Sequence, residues 1–183
     1  MRSLQDHFLI AMPSMADPNF TQTVTYICKH DDEGAFGVVI NRPSDLSLGE
    51  MLGQLAIELK DRTLAERPVM QGGPVEPERG FVLHRSEQPF EGTLAIGDIK
   101  LTSSPDILAA LGRGAGPKPV LVALGYAGWS RGQLDAELSS NTWLTVPANP
   151  SIMFDTPFEQ RWTAALGLPG VDIQRITEYA GHA

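Results

Sequence analysis

The stretch from Val120 to Leu138 constrains this chain more than any other. It opens with Val120-Leu121-Val122-Ala123-Leu124, an apolar run of strand length without polar alternation. Such a run reads as a strand buried on both faces. It breaks at Gly125, Gly128 and Gly132 and resumes with Leu134 and Leu138 at helical spacing. A strand, a tight glycine turn and a helix make a common site. Backbone N–H groups at a helix start are free, and the helix dipole attracts anions there.

Around this stretch the chain alternates strands and helices. Phe8 to Met12 reads as a buried strand ended by Pro13. Thr21 to Lys29 and Ala35 to Asn41 read as two arms of a hairpin with a polar tip at His30 to Gly34, closed where Pro43 ends the pairing. Ser47-Leu48-Gly49-Glu50 has capping-box spacing, predicting a helix to about Ile57 with Leu48, Met51, Leu52 and Leu55 on its buried face. Short strands are predicted at Val69–Gln71 and Phe81–His84, and a hairpin around Gly97-Asp98. Ser104-Pro105 marks a helix start ending at Gly112, and Trp143 to Val146 a strand. Thr156-Pro157-Phe158-Glu159 reads as a second capping box with proline at the first helical position, opening a helix to Gly167 with Phe158, Trp162, Ala165 and Leu166 on one face. Hairpins mixed with a strand–helix unit predict one mixed-sheet α/β domain over residues 1–183.

Charge narrows the partners. With 183 residues, a net charge of −8 and a pI near 4.9, the chain would repel a phosphate backbone, and it has no basic run. Direct nucleic-acid binding is therefore disfavoured. Cys28 is the single cysteine, so a reducing compartment is expected. No secretory pattern or membrane-length apolar run is visible, so the expected location is the cytoplasm, with no membrane association.

Several segments match one pattern in order: Asp17-Pro18-Asn19-Phe20, Gly34-Ala35-Phe36-Gly37, Asn41-Arg42-Pro43, Gly72-Gly73-Pro74-Val75, Phe81-Val82-Leu83-His84, Gly125-Tyr126-Ala127-Gly128-Trp129, Gly132-Gln133-Leu134, Asn141 and Trp143-Leu144. The chain resembles the YqgE/AlgH family of small bacterial proteins from about Phe8 to Gly167. Asp135 stands where many relatives carry Glu. The resemblance implies an α/β domain with a mixed, strongly curved, barrel-like sheet flanked by helices. It implies a cytosolic protein, described in part of the family as a transcriptional regulator. It carries over no catalytic residues.

Gly128-Trp129-Ser130-Arg131-Gly132 fits the nucleophile-elbow pattern G-x-S-x-G between a strand and a helix. This makes Ser130 the one catalytic candidate and a serine hydrolase the alternative function. The only downstream histidine is His182, beside the chain end, and no oxyanion motif is visible. A turn or N-cap role for Ser130 is preferred. The glycines spell neither a dinucleotide fingerprint nor a P-loop, so no cofactor is expected. The histidines and Cys28 lack metal-ligand spacing, so no metal is expected either.

The polar and glycine-rich parts of the pattern fall at predicted strand ends. A cleft there for a small ligand or protein partner would use Asn41, Arg42, Gly72, Gly73, His84, Tyr126, Trp129, Gln133 and Glu137. Glu137 is expected to brace a loop through Arg42, and His84 to be a satisfied buried histidine. His30, with Asp31, Asp32 and Glu33, reads as a solvated hairpin tip, Cys28 as a small buried hydrophobe, and Trp129, Trp143 and Trp162 as core. The preferred function is an indirect regulatory or binding protein rather than an enzyme.

Overall fold

Both faces of the central strands are buried, and that decides the architecture. The computed structural model describes residues 2–172. In chain order come β1 (His7–Ala11), β2 (Val24–Asp31), β3 (Gly34–Val39), β4 (Pro43–Ser47), α1 (Leu48–Gln54), α2 (Arg62–Ala65), β5 (Pro68–Gln71), β6 (Val75–His84), β7 (Thr93–Ala95) and β8 (Lys100–Thr102). α3 (Pro105–Gly112), β9 (Val120–Ser130), α4 (Gln133–Ser139), β10 (Trp143–Pro147), α5 (Pro150–Phe154), a 3-10 turn (Phe158–Gln160) and α6 (Arg161–Leu166) follow. The strands run β10-β1-β2-β3-β9-β6-β8-β7, with β5 added to β9 and β4 to β5. All pairings are antiparallel except β5 with β9, so the sheet is mixed. It curls into a half-barrel flanked by helices, as the resemblance implied.

Period-two alternation distributes the strands' side chains between separate cores. Phe8, Ile10, Val24, Tyr26, Cys28, Val38 and Ile40 join the cluster that also takes Ile152 and Met153 of α5 and Ala165 of α6. The residues between them, Leu9, Ala11 and Ile27, pack on the opposite face with Leu134 of α4 and with Trp129 and Trp143. Leu48, Met51 and Leu52 of α1 and Ile107 and Leu111 of α3 cover Val82, Val120 and Val122. The unbroken apolar run at Val120 thus has both sides covered.

β9 is the correction to the sequence reading. The glycines do not end the strand at a turn, and it continues to Ser130. Its first half pairs with β6, its second half with β3, and Ala123 and Leu124 adjoin β5. Gly125 sits between these regimes at φ +80. Leu121 and Ala123 belong to one core, and after Gly125 the even-numbered Tyr126 rejoins it while Ala127 and Trp129 face the other. One left-handed glycine slips the alternation by a residue, as a bulge does.

Other differences have local causes. Pro43 does not end pairing but begins β4, opposite Met70; proline is tolerated at a strand's first residue. α2, capped by Asp61, and α5, capped by Asn149, were not foreseen. The Ser47–Glu50 capping box is formed, with its bonds at 3.1 and 3.2 Å, but α1 ends at Gln54 and Leu55 is 54% exposed. The Thr156 box is not formed. Thr156 Oγ1 donates to Ser151 O, Pro157 stands at the cap of the 3-10 turn, and α6 opens only at Arg161.

Candidate functional site

The turns at Asn41–Pro43 and Gly72–Pro74 meet beside Gly125 of β9, and what brings them together is backbone contact. The Gln71 N–H donates to Arg42 O at 2.6 Å, the Val39 N–H to Gly72 O at 2.8 Å, and the Gly72 N–H to Leu124 O at 2.7 Å. A Cβ on Gly72 would stand 2.2 Å from Gly125 O, and one on Gly73 would stand 2.1 Å from the Tyr126 carbonyl carbon. These glycines let chains cross without separation. Asn41 spans the neighbouring gap: its side chain accepts from the Val24 N–H and donates to Gln22 O, both at 2.9 Å. Arg42 donates to Thr21 O at 3.1 Å. Asn41 and Arg42 line a polar cavity of about 450 Å³ with Thr21, Phe158 and Trp162.

Tyr126 packs at a tilt against Phe36, 4.8 Å between centroids, and edge-to-face against Phe81 at 6.0 Å. Burial and the Glu76 carboxylate raise its phenol pKa. Further along β9, Trp129, Gln133 and Glu137 form a separate assembly. Glu137 Oε1 accepts from Trp129 Nε1 at 3.3 Å and from Trp143 Nε1 at 3.1 Å, and Oε2 accepts from Gln133 Nε2 at 3.0 Å. Glu137 therefore braces the two indoles, not Arg42 as expected. Gln133 Oε1 accepts from the N–H of Ser130 at 3.0 Å and from its hydroxyl at 3.2 Å. The side chain of Gln133 thus folds back over the start of α4, where the sequence suggested an anion pocket.

That network bears on Ser130. The residue ends a strand rather than sitting on a strained elbow, and its hydroxyl bonds an amide oxygen, which is no proton acceptor in catalysis. His182 lies outside the described residues. Among the described residues nothing around Ser130 supports the hydrolase alternative.

His84 and His30 are engaged. His84 is fully buried: its Nδ1 accepts from the Ser86 N–H at 3.1 Å, which leaves Nε2–H to donate to Thr102 Oγ1 at 2.8 Å. Thr102 passes the chain to Thr93 Oγ1 at 2.7 Å, and Thr93 donates to Phe90 O. Burial, then Lys100, lowers the His84 pKa, so the neutral ring is favoured. His84 is thus the satisfied histidine expected and is remote from solvent. His30 is not a solvated tip. It is buried, its Nδ1 accepts from the Leu4 N–H at 2.9 Å, and Nε2 lies 4.0 Å from Asp135. Cys28 is buried and its thiol pKa is raised by desolvation. Among the described residues no cluster of His, Cys, Asp or Glu is placed to hold a metal ion, and no helix is long and apolar enough to cross a membrane.

Two cavities went unforeseen. One is an apolar groove of about 460 Å³ between α1 and α3, floored by β6 and β9, with Leu46, Met51, Leu55, Leu108 and Leu124 on its walls and Gln54, Glu78 and Ser103 at its lining. The other, about 310 Å³, lies between the start of β9, β5 and the α5–α6 segment and includes Arg67 and Arg161. The exposed Leu55, placed on the buried face by periodicity, was the one sequence signal for the groove.

Comparison with known proteins agrees with this fold. A family model described as AlgH-like matches residues 8–174. A UPF0301 protein of Xylella fastidiosa is 54% identical over 182 residues, covering 99% of this chain and 97% of its own. One of Xanthomonas campestris is 50% identical over 181 residues, 98% of this chain and 96% of its own. The solution structure of the AlgH protein from Pseudomonas aeruginosa matches with a TM-score of 0.79 and 50% identity over all of both chains. A Corynebacterium diphtheriae protein shares the fold at 19% identity, with a TM-score of 0.74 over 93% of this chain and 90% of its own.

Proposed function

Since the chain belongs to the AlgH-like family, we propose that it is a cytosolic binding protein whose regulatory effect, if exerted on transcription, is indirect. The observation that carries this reading is the groove between α1 and α3. Its volume of about 460 Å³ falls in the range of small-molecule sites, and its lining combines apolar walls with a few polar groups. Leu55 stands at that groove 54% exposed, the most exposed large hydrophobic residue described. An apolar surface that solvent does not favour is a natural contact for an apolar ligand. Arg42, Gly72, Gly73 and Tyr126 then act as the frame that holds β3, β5 and β9 together, Trp129, Gln133 and Glu137 brace the end of β9 against α4 and β10, and Asn41 and Arg42 present a second, polar contact surface.

The test is a titration with Nile red, an uncharged solvatochromic probe. Wild-type protein is expected to give blue-shifted, saturable emission. Leu55→Asp should abolish it, and Leu94→Asp, which removes an exposed leucine away from the groove, should not. Absence of saturable binding by the wild type, or equal loss in both variants, would refute the assignment.

A further inference from the structure

The smaller cavity contains charge that the fold does not neutralise. Arg161, the first residue of α6, is only 8% exposed. Its Nε donates to Thr156 O at 2.9 Å, and its Nη1 donates to Ile40 O. Both acceptors are neutral carbonyls. Among the described residues no carboxylate lies within 4.0 Å of this guanidinium or of that of Arg67, and Nη2 of Arg161 has no hydrogen-bond acceptor. Nη2 is also not sealed in the interior, since the one fully enclosed, unpartnered side-chain polar atom described is the hydroxyl of Thr25. It belongs to a side chain that lines the cavity.

A cation taken out of water without a counter-ion is costly. Burial, then Arg67, lowers the pKa of Arg161 to about 10, with Glu159 opposing weakly. It therefore stays charged at neutral pH. Asp155 also lines the cavity but makes no ion pair with either arginine. The result is two guanidinium groups on one small cavity in a chain of net charge −8. The remaining wall is apolar, with Met70, Leu121, Phe154 and Phe158 among its residues.

We propose that this cavity binds a small organic carboxylate with an apolar body, its head between Arg161 and Arg67 and its body against the β9 and α5 side chains. Arginine suits a carboxylate because its planar donors match the two oxygens. A bare phosphate would leave the apolar wall uncovered. The site is separate from the α1–α3 groove, and neither assignment depends on the other.

The experiment uses the full chain with phenylacetate, benzyl alcohol as its uncharged counterpart, and inorganic phosphate as the head-only anion. Binding is read by calorimetry and by thermal shift, which rises with ligand by mass action. Phenylacetate is expected to bind and to stabilise the protein, with the alcohol and phosphate at least tenfold weaker. Arg67→Ala removes an exposed side chain, so it should keep the unliganded melting temperature yet weaken phenylacetate at least tenfold. Arg161→Lys keeps the charge but loses the planar fork and should weaken binding as well. Equal binding of benzyl alcohol would reduce the site to an apolar void, and equal binding of phosphate to a simple anion contact. Either result, an unaffected Arg67→Ala variant, or no binding of phenylacetate overturns the proposal.

Discussion

Glu137 offers the sharpest test of how the second half of β9 is held. One oxygen of its carboxylate accepts from two indoles, and one of those, Trp143, is 1% exposed. Truncation to alanine leaves the N–H of that buried ring without its acceptor. A buried donor left unpaired costs about 1–3 kcal/mol. Trp129 lies nearer the surface, so its lost bond adds about 1 kcal/mol. The bond from the exposed Gln133 amide adds little. Glu137→Ala should therefore destabilise the chain by about 2–4 kcal/mol in total. For a chain of this length each kcal/mol lowers Tm by about 2–4 °C. Glu137→Gln keeps a carbonyl oxygen where both indoles donate and loses the assistance of the charge and the exposed bond from Gln133 Nε2, so its cost should be about 1 kcal/mol. Urea unfolding followed by tryptophan fluorescence measures both variants and reports from the affected rings. Equal losses for alanine and glutamine, or a loss under about 0.5 kcal/mol for alanine, would refute the argument that satisfaction of the indoles holds this region.

Two further outcomes follow from geometry already described. Gly73→Ala should cost at least about 3 kcal/mol or prevent folding, because its Cβ would stand 2.1 Å from the carbonyl carbon of Tyr126; Gly132→Ala, with open space around it but a φ of +74, should cost only roughly 1–2 kcal/mol, and chemical denaturation of the pair separates close approach from backbone preference. Because the folded-state pKa of His84 is lowered, the unfolded chain binds the proton more readily, so the stability this ring contributes is present above the ordinary histidine pKa of about 6.5 and is lost as pH falls below it. Nitrogen NMR should find His84 neutral and protonated on Nε2 at pH 7, and a doubly protonated ring there would contradict the hydrogen-bond chain to Phe90.

Much of the architecture was legible because apolar runs, capping residues and turns act locally. Ser47 and Glu50 reach only each other's backbone, so their spacing identifies α1 without reference to the rest of the chain. The burial of Cys28, Trp143 and His84 was read correctly because residue type and strand context dominate their environment. The errors arise where distant segments decide. Gly125 resembles a turn in sequence, but β3, β5 and β6 supply hydrogen bonds on either side and keep the strand extended past it. His30 looks exposed among acidic neighbours, yet the N-terminal segment covers it through Leu4. Arg161 carried no signal at all. Its acceptor Ile40 is 121 positions away in the sequence, and its cavity is formed by segments that only the fold assembles.

The pairings of β9 also set an order of events in time. Its partners lie in β3, β5 and β6, all synthesised earlier. Until β9 emerges from the ribosome, Gly34–Gly37 and Phe81–His84 each lack the strand that will cover them. The halves of the sheet therefore wait for one late segment to join them. Sheets closed by such distant pairings fold in roughly milliseconds to seconds rather than microseconds. During that interval the open edges are free to pair with other chains, so the vulnerable moment in the life of this protein comes before β9 arrives.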